Sequence, residues 1–290
     1  MTQAPAPAAR RTALITGASS GIGEASARAL AAAGFEVALV ARRGDLLERI
    51  AKEIEKSGGR AFALAADLAD ETETARVFDQ AMQALGRLDL IVNNAGYSPG
   101  AAIEQMSRSE IRQVFEVNLL SSLQLLSLSI PVMREQGGGR IINIGSVAGA
   151  IPAPLAIPYA ATKVGMHAAS DALRLEVAPF GIQVSTIIPG FVDTAVFDNA
   201  REAAGHLRDD PTNPYRKTFF DLDDLAKKNL RNALSPADVA RIVVRAATAR
   251  RPKERYYTPF TALLQIVFMR NLPARALDWL LSRVYKLDRR

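Results

Sequence analysis

The sequence predicts an α/β fold with one doubly wound parallel sheet, helices on both faces in three layers, and a helical extension at the C-terminus. Short runs rich in Val, Ile and Leu alternate with longer helical segments along residues 12–188. The strand candidates are continuously apolar, which is typical of strands that are covered on both faces. Helices between such strands require parallel pairing through right-handed crossovers.

Six strands and the helices between them follow in order. The strands are predicted at 12–15, 36–41, 61–65, 88–92, 140–144 and 183–188, and helices at 24–33, 45–56, 71–85 and 159–178. Gly34 is placed to end the first helix, and Pro179 to end the last. Ligands of such sheets bind outside the carboxyl ends of the strands. The residues just after each strand are therefore the candidates for function.

Composition narrows the function further. The chain has 290 residues, of which 49% are hydrophobic, and this suits one large core. It has no cysteine, which excludes disulfides and thiolate zinc sites, and only two histidines, so no metal site is predicted. The net charge of +6 comes with no nucleic-acid-binding motif, and nucleic acid is not a predicted partner.

The chain divides into three predicted parts. Residues 1–10 are rich in Ala and Pro and predict a flexible tail, 11–258 form the main domain, and 259–290 form the helical extension. Without cysteines or a leucine-rich leader, the protein is expected to be cytoplasmic. The apolar stretches at 119–133 and 260–269 fall short of the roughly 20 residues that span a bilayer.

A glycine-rich turn follows the first strand. Gly17, Gly21 and Gly23 come directly after Thr16 and open the first helix. Glycine lets the backbone approach a ligand closely, and a helix N-terminus supplies free N–H donors and a favourable dipole. We expect the pyrophosphate of a dinucleotide to bind here; the alternative is a tight turn without a ligand.

The end of the second strand indicates which dinucleotide binds. An acidic residue there would bind the ribose 2′-hydroxyl of NAD and repel a 2′-phosphate. This chain instead has Arg42 and Arg43, and no acid before Asp45. Two guanidinium groups suit a phosphorylated ribose, so we favour NADP over NAD, with Ser19 and Ser20 as further hydroxyl contacts. Alternatively, both arginines only solvate a surface turn.

Polar residues also follow the third and fourth strands. Asp67 is placed to accept a hydrogen bond from the adenine amino group; its alternative role is to cap the next helix, where Asp70 competes. After the fourth strand come two asparagines, Ala95 and Gly96. The small residues would leave room for ribose, and the amides of Asn93 and Asn94 can pin neighbouring strands.

Tyr159 and Lys163 are four residues apart and so lie on one face of a helix. A phenol ordinarily titrates near ~10, and a neighbouring ammonium would lower its pKa. A tuned proton donor beside a nucleotide site predicts a hydride-transfer enzyme. Taken singly, Tyr159, Lys163 and Ser146 could instead be a core residue, a solvated residue and a turn residue, and Asn118 a helix irregularity.

Together, these motifs resemble the short-chain dehydrogenase/reductase family in its compact single-domain subgroup. The resemblance rests on residues 16–23, 93–96, Asn118, Ser146, the Tyr159–Lys163 pair and Pro189–Gly190, in family order over about 10–195. It implies a Rossmann-type fold and an NADP-dependent enzyme acting on CH–OH and C=O groups. The predicted cofactor contacts are Gly17, Ser19, Ser20, Gly21, Ile22, Gly23, Arg42, Arg43, Asp67, Leu68, Asn94, Ala95, Gly96, Tyr159, Lys163, Pro189, Gly190, Val192 and Thr194.

The resemblance also implies catalytic roles. Tyr159 would be the general acid/base, and Lys163 would lower its pKa and hold the ribose hydroxyls. Ser146 would hydrogen-bond the carbonyl oxygen, and Asn118 would bind a water that relays protons to Lys163. A homodimer or homotetramer is expected, paired through the helices that hold Asn118 and Tyr159.

The substrate side predicts an apolar ligand. Residues 148–157 are small and apolar, and an irregular segment at about 191–231 is predicted to be a lid loop. It contains the aromatic residues Phe191, Phe197, Tyr215, Phe219 and Phe220, which would either face the substrate or pack beneath the loop. We expect a steroid-, retinoid- or lipid-like alcohol or ketone. A 3-oxoacyl thioester reductase is the enzymatic alternative, and a regulator that senses NADP(H) without turnover is the non-enzymatic one.

The extension at 259–290 resembles the tail of members grouped with 17β-hydroxysteroid dehydrogenases. Its apolar residues, Leu263, Leu264, Val267, Phe268, Leu277, Leu280 and Leu281, predict amphipathic helices. With Arg270, Arg275 and Arg283 these helices would cover the substrate pocket or touch an anionic membrane. We prefer the alternative that they pack on the core or on a second subunit.

Overall fold

The structure, a computed structural model, describes residues 10–231 and 233–287; the predicted flexible tail lies outside this part except for its last residue. Seven parallel strands form one sheet in the order β3-β2-β1-β4-β5-β6-β7. They are β1 Arg11–Thr16, β2 Phe35–Ala41, β3 Arg60–Ala65, β4 Leu90–Asn93, β5 Gly139–Ile144, β6 Ile182–Pro189 and β7 Arg255–Thr258. The strand order reverses between β1 and β4, where such sheets bind ligands.

Helices cover both faces of the sheet, which confirms the predicted fold class. In the described residues they are α1 Gly21–Ala32, α2 Gly44–Lys56, α3 Glu71–Leu85, α4 Arg108–Phe115, α5 Ser121–Glu135, α6 Ile157–Val177, α7 Ala195–Ala203, α8 Gly205–Asp209, α9 Arg216–Leu230, α10 Pro236–Thr248, α11 Phe260–Arg270 and α12 Ala274–Val284. A π-helical turn, Glu116–Leu120, joins α4 to α5.

Two apolar cores lie on opposite faces of the sheet, because successive strand residues point to opposite sides. On one face, Ile15 of β1 packs in a cluster with Leu30 of α1 and Val239 of α10. On the other face, Leu14 packs in a cluster with Val77 of α3 and Leu125 of α5. The two cores hold the carboxyl ends of β1, β4, β5 and β6 at one edge.

The sequence predicts six strands and misses β7. Arg255–Thr258 has four residues, of which only Tyr256 and Thr258 are buried. It lacks the aliphatic run that marks the other strands, and it forms by pairing with Thr186–Pro189 of β6 at the sheet edge. Tertiary pairing decides this strand.

The segment at 191–231, predicted to be an irregular loop, contains three helices: α7, α8 and α9. Phe219 of α9 packs in a third cluster with Ala102 and Leu155, which lie after β4 and β5. The prediction of an irregular loop is therefore wrong for this segment. The side chain of Phe197, one of the predicted aromatic residues, lies outside the described part.

One continuous helix, residues 108–135, has the length and apolar composition of a membrane-spanning segment. The prediction that no apolar segment reaches this length is therefore wrong. Leu125 and Met133 of this helix are nonetheless fully buried against the sheet. That burial is typical of the core helix of a globular domain.

Candidate active site

The glycine turn after β1 is closed by Asn94. A Cβ atom on Gly17, where φ is +66°, would lie 2.8 Å from Asn94 Nδ2, and one on Gly23 would lie 2.1 Å from the Gly17 oxygen. Only glycine fits both positions. Ser20 occupies the N-cap of α1 without a side-chain capping bond. The turn and the helix N-terminus therefore have the space and the N–H donors that a dinucleotide diphosphate requires.

The asparagines after β4 pin neighbouring strands, as predicted. Thr16 Oγ1 accepts hydrogen bonds from the backbone N–H of Asn94 at 2.9 Å and of Ala95 at 3.0 Å. Asn94 Nδ2 donates to the Thr16 oxygen at 2.9 Å. Asn93 Nδ2 donates to Asn143 Oδ1 of β5 at 2.9 Å. These bonds fix β4 between β1 and β5 at the edge where the cofactor is expected.

The two arginines after β2 are both exposed. Arg43 donates to Ser19 Oγ at 3.1 Å and to Ser20 Oγ at 2.9 Å. The structure thus brings the Arg43 guanidinium and two hydroxyls of the glycine turn to one place. Such a set of donors matches a phosphate group.

Asp67 lies at the carboxyl end of β3. Its Oδ1 accepts from the Ala69 N–H at 3.1 Å. Asp70 caps α3, since its carboxylate accepts from the Glu73 N–H at 3.0 Å, so the alternative helix-capping role for Asp67 is wrong. Leu68 is 6% exposed and belongs to the core. Any cofactor contact of Leu68 must therefore be made by its backbone.

The loop after β6 approaches the glycine turn. Gly190, which follows Pro189, donates its N–H to the Thr258 oxygen at 2.7 Å. Thr194 precedes α7 and forms no side-chain capping bond, so its alternative role as a helix cap is not seen. Its Cγ2 lies 3.3 Å from where a Cβ of Gly21 would be. Thr194 and the glycine turn therefore form opposite sides of one cleft.

Two other predicted contacts lie close to the core. Val192 is 5% exposed and lies in the same core cluster as Ile15, so, as with Leu68, only its backbone is placed to meet a cofactor. Ile22, in the first turn of α1, is half-buried and packs against that cluster.

Tyr159 and Lys163 lie on one face of α6, as predicted. The Lys163 Nζ atom is 5.7 Å from the centroid of the Tyr159 ring. It donates to the Ile144 oxygen, at the end of β5, at 2.8 Å. Lys163 is 5% exposed, and this burial lowers its pKa to about 8. The site thus contains a buried cation beside the phenol.

The predicted lowering of the phenol pKa is wrong for the protein alone. Burial raises the pKa of Tyr159, and the hydrogen bond with Ser146 only partly opposes it. Tyr159 is half-buried as a whole residue, but its hydroxyl end is enclosed. Desolvation is the larger of these two effects on the phenol. The phenol is therefore protonated at neutral pH.

Ser146 follows β5 and faces Tyr159. Its Oγ accepts from the Ala148 N–H at 3.1 Å and hydrogen-bonds to the Tyr159 side chain. The Ser146 N–H donates to His167 Nε2 at 3.4 Å. Sequence reasoning missed His167, although its position four residues after Lys163 places it on the same helix face.

Asn118 lies in the π-helical turn, and both ends of its amide are bonded to protein. Oδ1 accepts from the Tyr97 N–H at 2.9 Å, and Nδ2 donates to the Tyr97 oxygen at 2.8 Å. A Cβ atom on Gly96 would lie 3.2 Å from Asn118 Oδ1 and 3.8 Å from Lys163 Nζ. Asn118 is thus close to Lys163, and its role in holding a relay water stays a prediction.

The C-terminal helices meet the substrate side. Tyr285, just after α12, donates its hydroxyl to the Pro152 oxygen in the apolar segment after β5, at 3.2 Å. On α11, however, Phe260 is 67% exposed and Phe268 is 59% exposed. Ala262 and Ile266 of α11 are buried, so one face of this helix packs on the protein, and packing of the exposed face on a second subunit stays a prediction.

The sequence pattern that describes short chain dehydrogenases matches residues 11–205. The chain belongs to this family. In keeping with that, its fold and site are those of an oxidoreductase that binds a nucleotide.

Related proteins of known sequence fit this family. The chain is 38% identical over 203 residues to a granaticin polyketide synthase putative ketoacyl reductase of Streptomyces violaceoruber, covering 69% of this chain and 75% of that protein. It is 35% identical over 182 residues to ketoacyl reductase HetN of a Nostoc species, covering 63% of each, so the match spans less than two thirds of HetN. It is 29% identical over 278 residues to the oxidoreductase YusZ of Bacillus subtilis, covering 94% of this chain and 98% of that protein.

Solved structures show the same fold with either nicotinamide cofactor. A metagenomic short-chain oxidoreductase in complex with NADP is 29% identical with a TM-score of 0.69, covering 86% of this chain and 96% of that one. A short-chain dehydrogenase/reductase from Burkholderia phymatum in complex with NAD is 26% identical with a TM-score of 0.78, covering 90% and 93%. The predicted grouping with 17β-hydroxysteroid dehydrogenases is not confirmed by these relatives.

Proposed function

We propose that this oxidoreductase uses NADP(H) to interconvert an apolar alcohol and its ketone. The observation that carries the proposal is the cluster of Ser146, Tyr159 and Lys163. It stands at the same sheet edge as a glycine turn whose shape only glycine permits.

The chemistry follows from the positions of these side chains. When bound, the nicotinamide gives or takes the hydride. The Tyr159 hydroxyl, protonated at neutral pH, gives its proton to the carbonyl oxygen as that oxygen becomes an alcohol. The Ser146 hydroxyl donates a hydrogen bond to the same oxygen and stabilises its developing charge. The Lys163 cation, 5.7 Å from the ring centroid, stabilises the phenolate that results.

NADP as the cofactor is supported by the end of β2. Arg43 is bonded to Ser19 and Ser20, and the exposed Arg42 lies beside it, so a 2′-phosphate would meet positive charge and hydroxyl donors. Relatives with NADP and with NAD both exist. The preference for NADP therefore rests on these side chains alone.

An apolar substrate is supported by the segment after β5 and by the third cluster. Leu155 and Phe219 are both buried there, with Tyr215 and Leu222 packed against them. Leu155 belongs to the segment that follows Ser146, so we infer that a ligand above the catalytic cluster meets apolar side chains. Apolar walls with few polar groups are typical of sites for hydrophobic ligands.

The test is oxidation of NADPH, followed by the absorbance of the reduced nicotinamide. The panel comprises steroids, retinoids, aliphatic ketones and acyl thioesters, with NADH in parallel. Turnover of an apolar ketone with NADPH is expected. Tight cofactor binding without turnover of any compound would support the alternative of a regulator that senses NADP(H).

Reduction of a 3-oxoacyl thioester is the second candidate. Two relatives are named as ketoacyl reductases. In addition, Lys217, Arg275, Arg283 and Lys286 line a groove between α9 and α12. Positive charge there would suit an acidic carrier protein that presents the thioester.

The Arg275→Gln/Arg283→Gln variant separates the two candidates. If a carrier protein docks in the groove, the variant raises KM for carrier-linked 3-oxoacyl substrate and leaves KM for a free apolar ketone unchanged. If the variant leaves KM unchanged for both substrates, docking of a carrier protein in the groove is excluded.

Self-association is proposed through α5 and α6. Val164 is 52% exposed and Leu175 is 76% exposed on α6, and Leu123 is 36% exposed on α5. Analytical ultracentrifugation is expected to show a dimer or tetramer that Leu175→Glu weakens. A monomeric wild type would contradict the proposal.

Two further proposals remain. The first is that the extension contacts an anionic membrane, and the second is that the protein is cytoplasmic. Phe260, Leu264 and Phe268 form an exposed stripe on α11. Sedimentation with phosphatidylglycerol vesicles tests the contact, with the Phe260→Ser/Leu264→Ser/Phe268→Ser variant as control. Wild-type protein that stays in the supernatant would exclude the membrane, and cell fractionation tests the location.

A further inference from the structure

His167 lies on α6, four residues after Lys163 and eight after Tyr159, and so shares their helix face. Its ring occupies a narrow space beside the loop that carries Ser146. A Cβ atom on Gly145 would lie 2.3 Å from His167 Nε2, and one on Gly149 would lie 2.6 Å from Cε1. The ring thus fills the space that side chains at both glycines would need.

One nitrogen of the ring contacts the backbone of the catalytic serine. The Ser146 N–H donates to His167 Nε2 at 3.4 Å. An imidazole that accepts at Nε2 is neutral and carries its proton on Nδ1. Protonation would place an N–H at Nε2 against the Ser146 N–H, so this contact exists only in the neutral form.

The surroundings favour the neutral form. Burial, with smaller contributions from the cations Lys163 on α6, Arg255 on β7 and Arg270 on α11, lowers the pKa of His167 to about 4, while Asp171 on α6 acts in the opposite direction. Asp171 is itself paired with Arg174 at 3.0 Å and with Arg255. The carboxylate is therefore largely neutralised by its own partners.

We propose that His167 is a positioning residue for Ser146: its neutral ring accepts the Ser146 N–H, fills the space between Gly145 and Gly149, and so fixes the Ser146 hydroxyl beside Tyr159. The expected effect of His167 on kcat rests on the proposed function, but the contact between His167 and Ser146 does not depend on turnover. The ring lies beside both glycines of the loop after β5, and a Cβ atom on Gly149 would also lie 3.1 Å from the Lys163 oxygen of α6.

The contact is tested by NMR on the full-length protein. The chain has two histidines, so His206→Gln leaves His167 as the only imidazole to follow. The His167 ring is expected to stay neutral from pH 7.5 to about pH 5, with its proton on Nδ1, and the Ser146 amide shift to change in His167→Gln but not in His206→Gln. An imidazole that titrates near its ordinary pKa, or an unchanged Ser146 amide, would overturn the proposal.

The kinetic role is tested by a double-mutant cycle with the best substrate of the panel. His167→Ala is expected to lower kcat about 10- to 100-fold in the wild type, as misplacement of a catalytic group does. In a Ser146→Ala background it should change kcat less than about 2-fold, because its effect passes through Ser146. Equal losses in both backgrounds would show a general structural role and overturn the assignment.

A second pair of variants keeps the proposal testable if His167→Ala unfolds. Gly145→Ala must displace the ring and is expected to lower kcat as His167→Ala does, with unchanged cofactor affinity. Gly145→Ala/His167→Ala, in which the ring is absent, should be no worse than Gly145→Ala alone. Losses that multiply would contradict the shared mechanism. If no substrate is turned over, the proposed function fails, while the NMR result still decides the contact.

Discussion

The cofactor side and the substrate side of this molecule are stabilised in different ways. On the cofactor side, buried side-chain hydrogen bonds hold β1, β4 and β5 together, as at Thr16 and Asn93. On the substrate side, α9 is joined at the surface to the residues just after α12, where Asp221 pairs with Lys286 and, within α9, with Lys217. The family pattern covers the first side and ends at residue 205, within the second.

This difference explains why a sequence motif can describe the cofactor side but not the substrate side. A turn in which a Cβ atom on Gly17 or Gly23 would lie under 3 Å from backbone or amide atoms allows one residue type. Surface ion pairs and a small apolar cluster can be formed by many residue types. The cofactor side is therefore recognisable in distant relatives, and the substrate side is free to differ between them.

The largest expected effect tests whether the chemistry lies on the cofactor side. Tyr159→Phe should reduce kcat by about 10²- to 10⁴-fold, because it removes the general acid. NADPH affinity, measured by fluorescence titration, should be nearly unchanged. Tyr215→Phe on the substrate side is the matched control and should keep most of the activity. Retained turnover in Tyr159→Phe would overturn the assigned role.

The next prediction concerns the buried hydrogen bonds. Thr16→Val leaves the N–H groups of Asn94 and Ala95 without their acceptor and should lower the free energy of unfolding by about 2–4 kcal/mol. Thr16→Ser keeps the hydroxyl and should lose much less. Urea unfolding measures both variants. A small loss in Thr16→Val beside a larger loss in Thr16→Ser would mean that the methyl group, not the hydrogen bonds, stabilises the turn.

For Lys163, we expect stability and activity to change in opposite directions. Its pKa is lowered to about 8 in the folded protein, so its protonation at pH 7 opposes folding. Lys163→Met should therefore raise the free energy of unfolding by about 1–3 kcal/mol at pH 7 while abolishing turnover.

The sign of this effect can be checked by pH. The wild type should gain stability relative to Lys163→Met as pH rises from about 8 towards the ordinary lysine pKa of about 10.5. Over this range Lys163 loses its charge first in the folded protein and then in the unfolded chain, so the cost of burying that charge disappears. Unfolding at pH 7 and pH 10 measures the difference. A constant difference would show that burial of the charge is not the cause.

Cofactor choice is expected to depend on the arginines after β2. Arg42→Ala should weaken NADPH binding by about 1.5–3 kcal/mol, the scale of a charged hydrogen bond, and barely affect NADH. Arg43→Ala should cost at least as much, since it also releases Ser19 and Ser20. Calorimetry with both cofactors tests this. Equal losses for NADPH and NADH would remove the argument for NADP.

The smallest expected effect lies on the substrate side. Asp221→Asn removes the ion pairs with Lys217 and Lys286, whose charged groups are largely exposed, and should change the free energy of unfolding by less than about 1 kcal/mol. Urea unfolding beside Thr16→Val gives the comparison directly. A loss as large as that of Thr16→Val would abolish the distinction between the two sides.

The sequence predicted much of the site but not its electrostatics. The glycine turn, the asparagine pins and the Tyr159–Lys163 face all depend on local spacing, and the structure has them as predicted. The raised pKa of Tyr159 depends on how deeply its hydroxyl is enclosed. His167 and Ser146, which are in contact, are 21 residues apart in the sequence. Only the position of His167 on the catalytic face of its helix indicated this contact.

By itself, the sequence determined the order of the first six strands, four of the helices between them (α1, α2, α3 and α6) and the place of the glycine turn, and it indicated the residues proposed to exchange a proton. These follow from local rules: apolar runs, backbone freedom at glycine, and the helical period. The tertiary structure decided β7, the helices at 195–230 and the direction in which burial moves each pKa. Those features arise from contacts between distant segments and from exclusion of water, which no short stretch of sequence specifies.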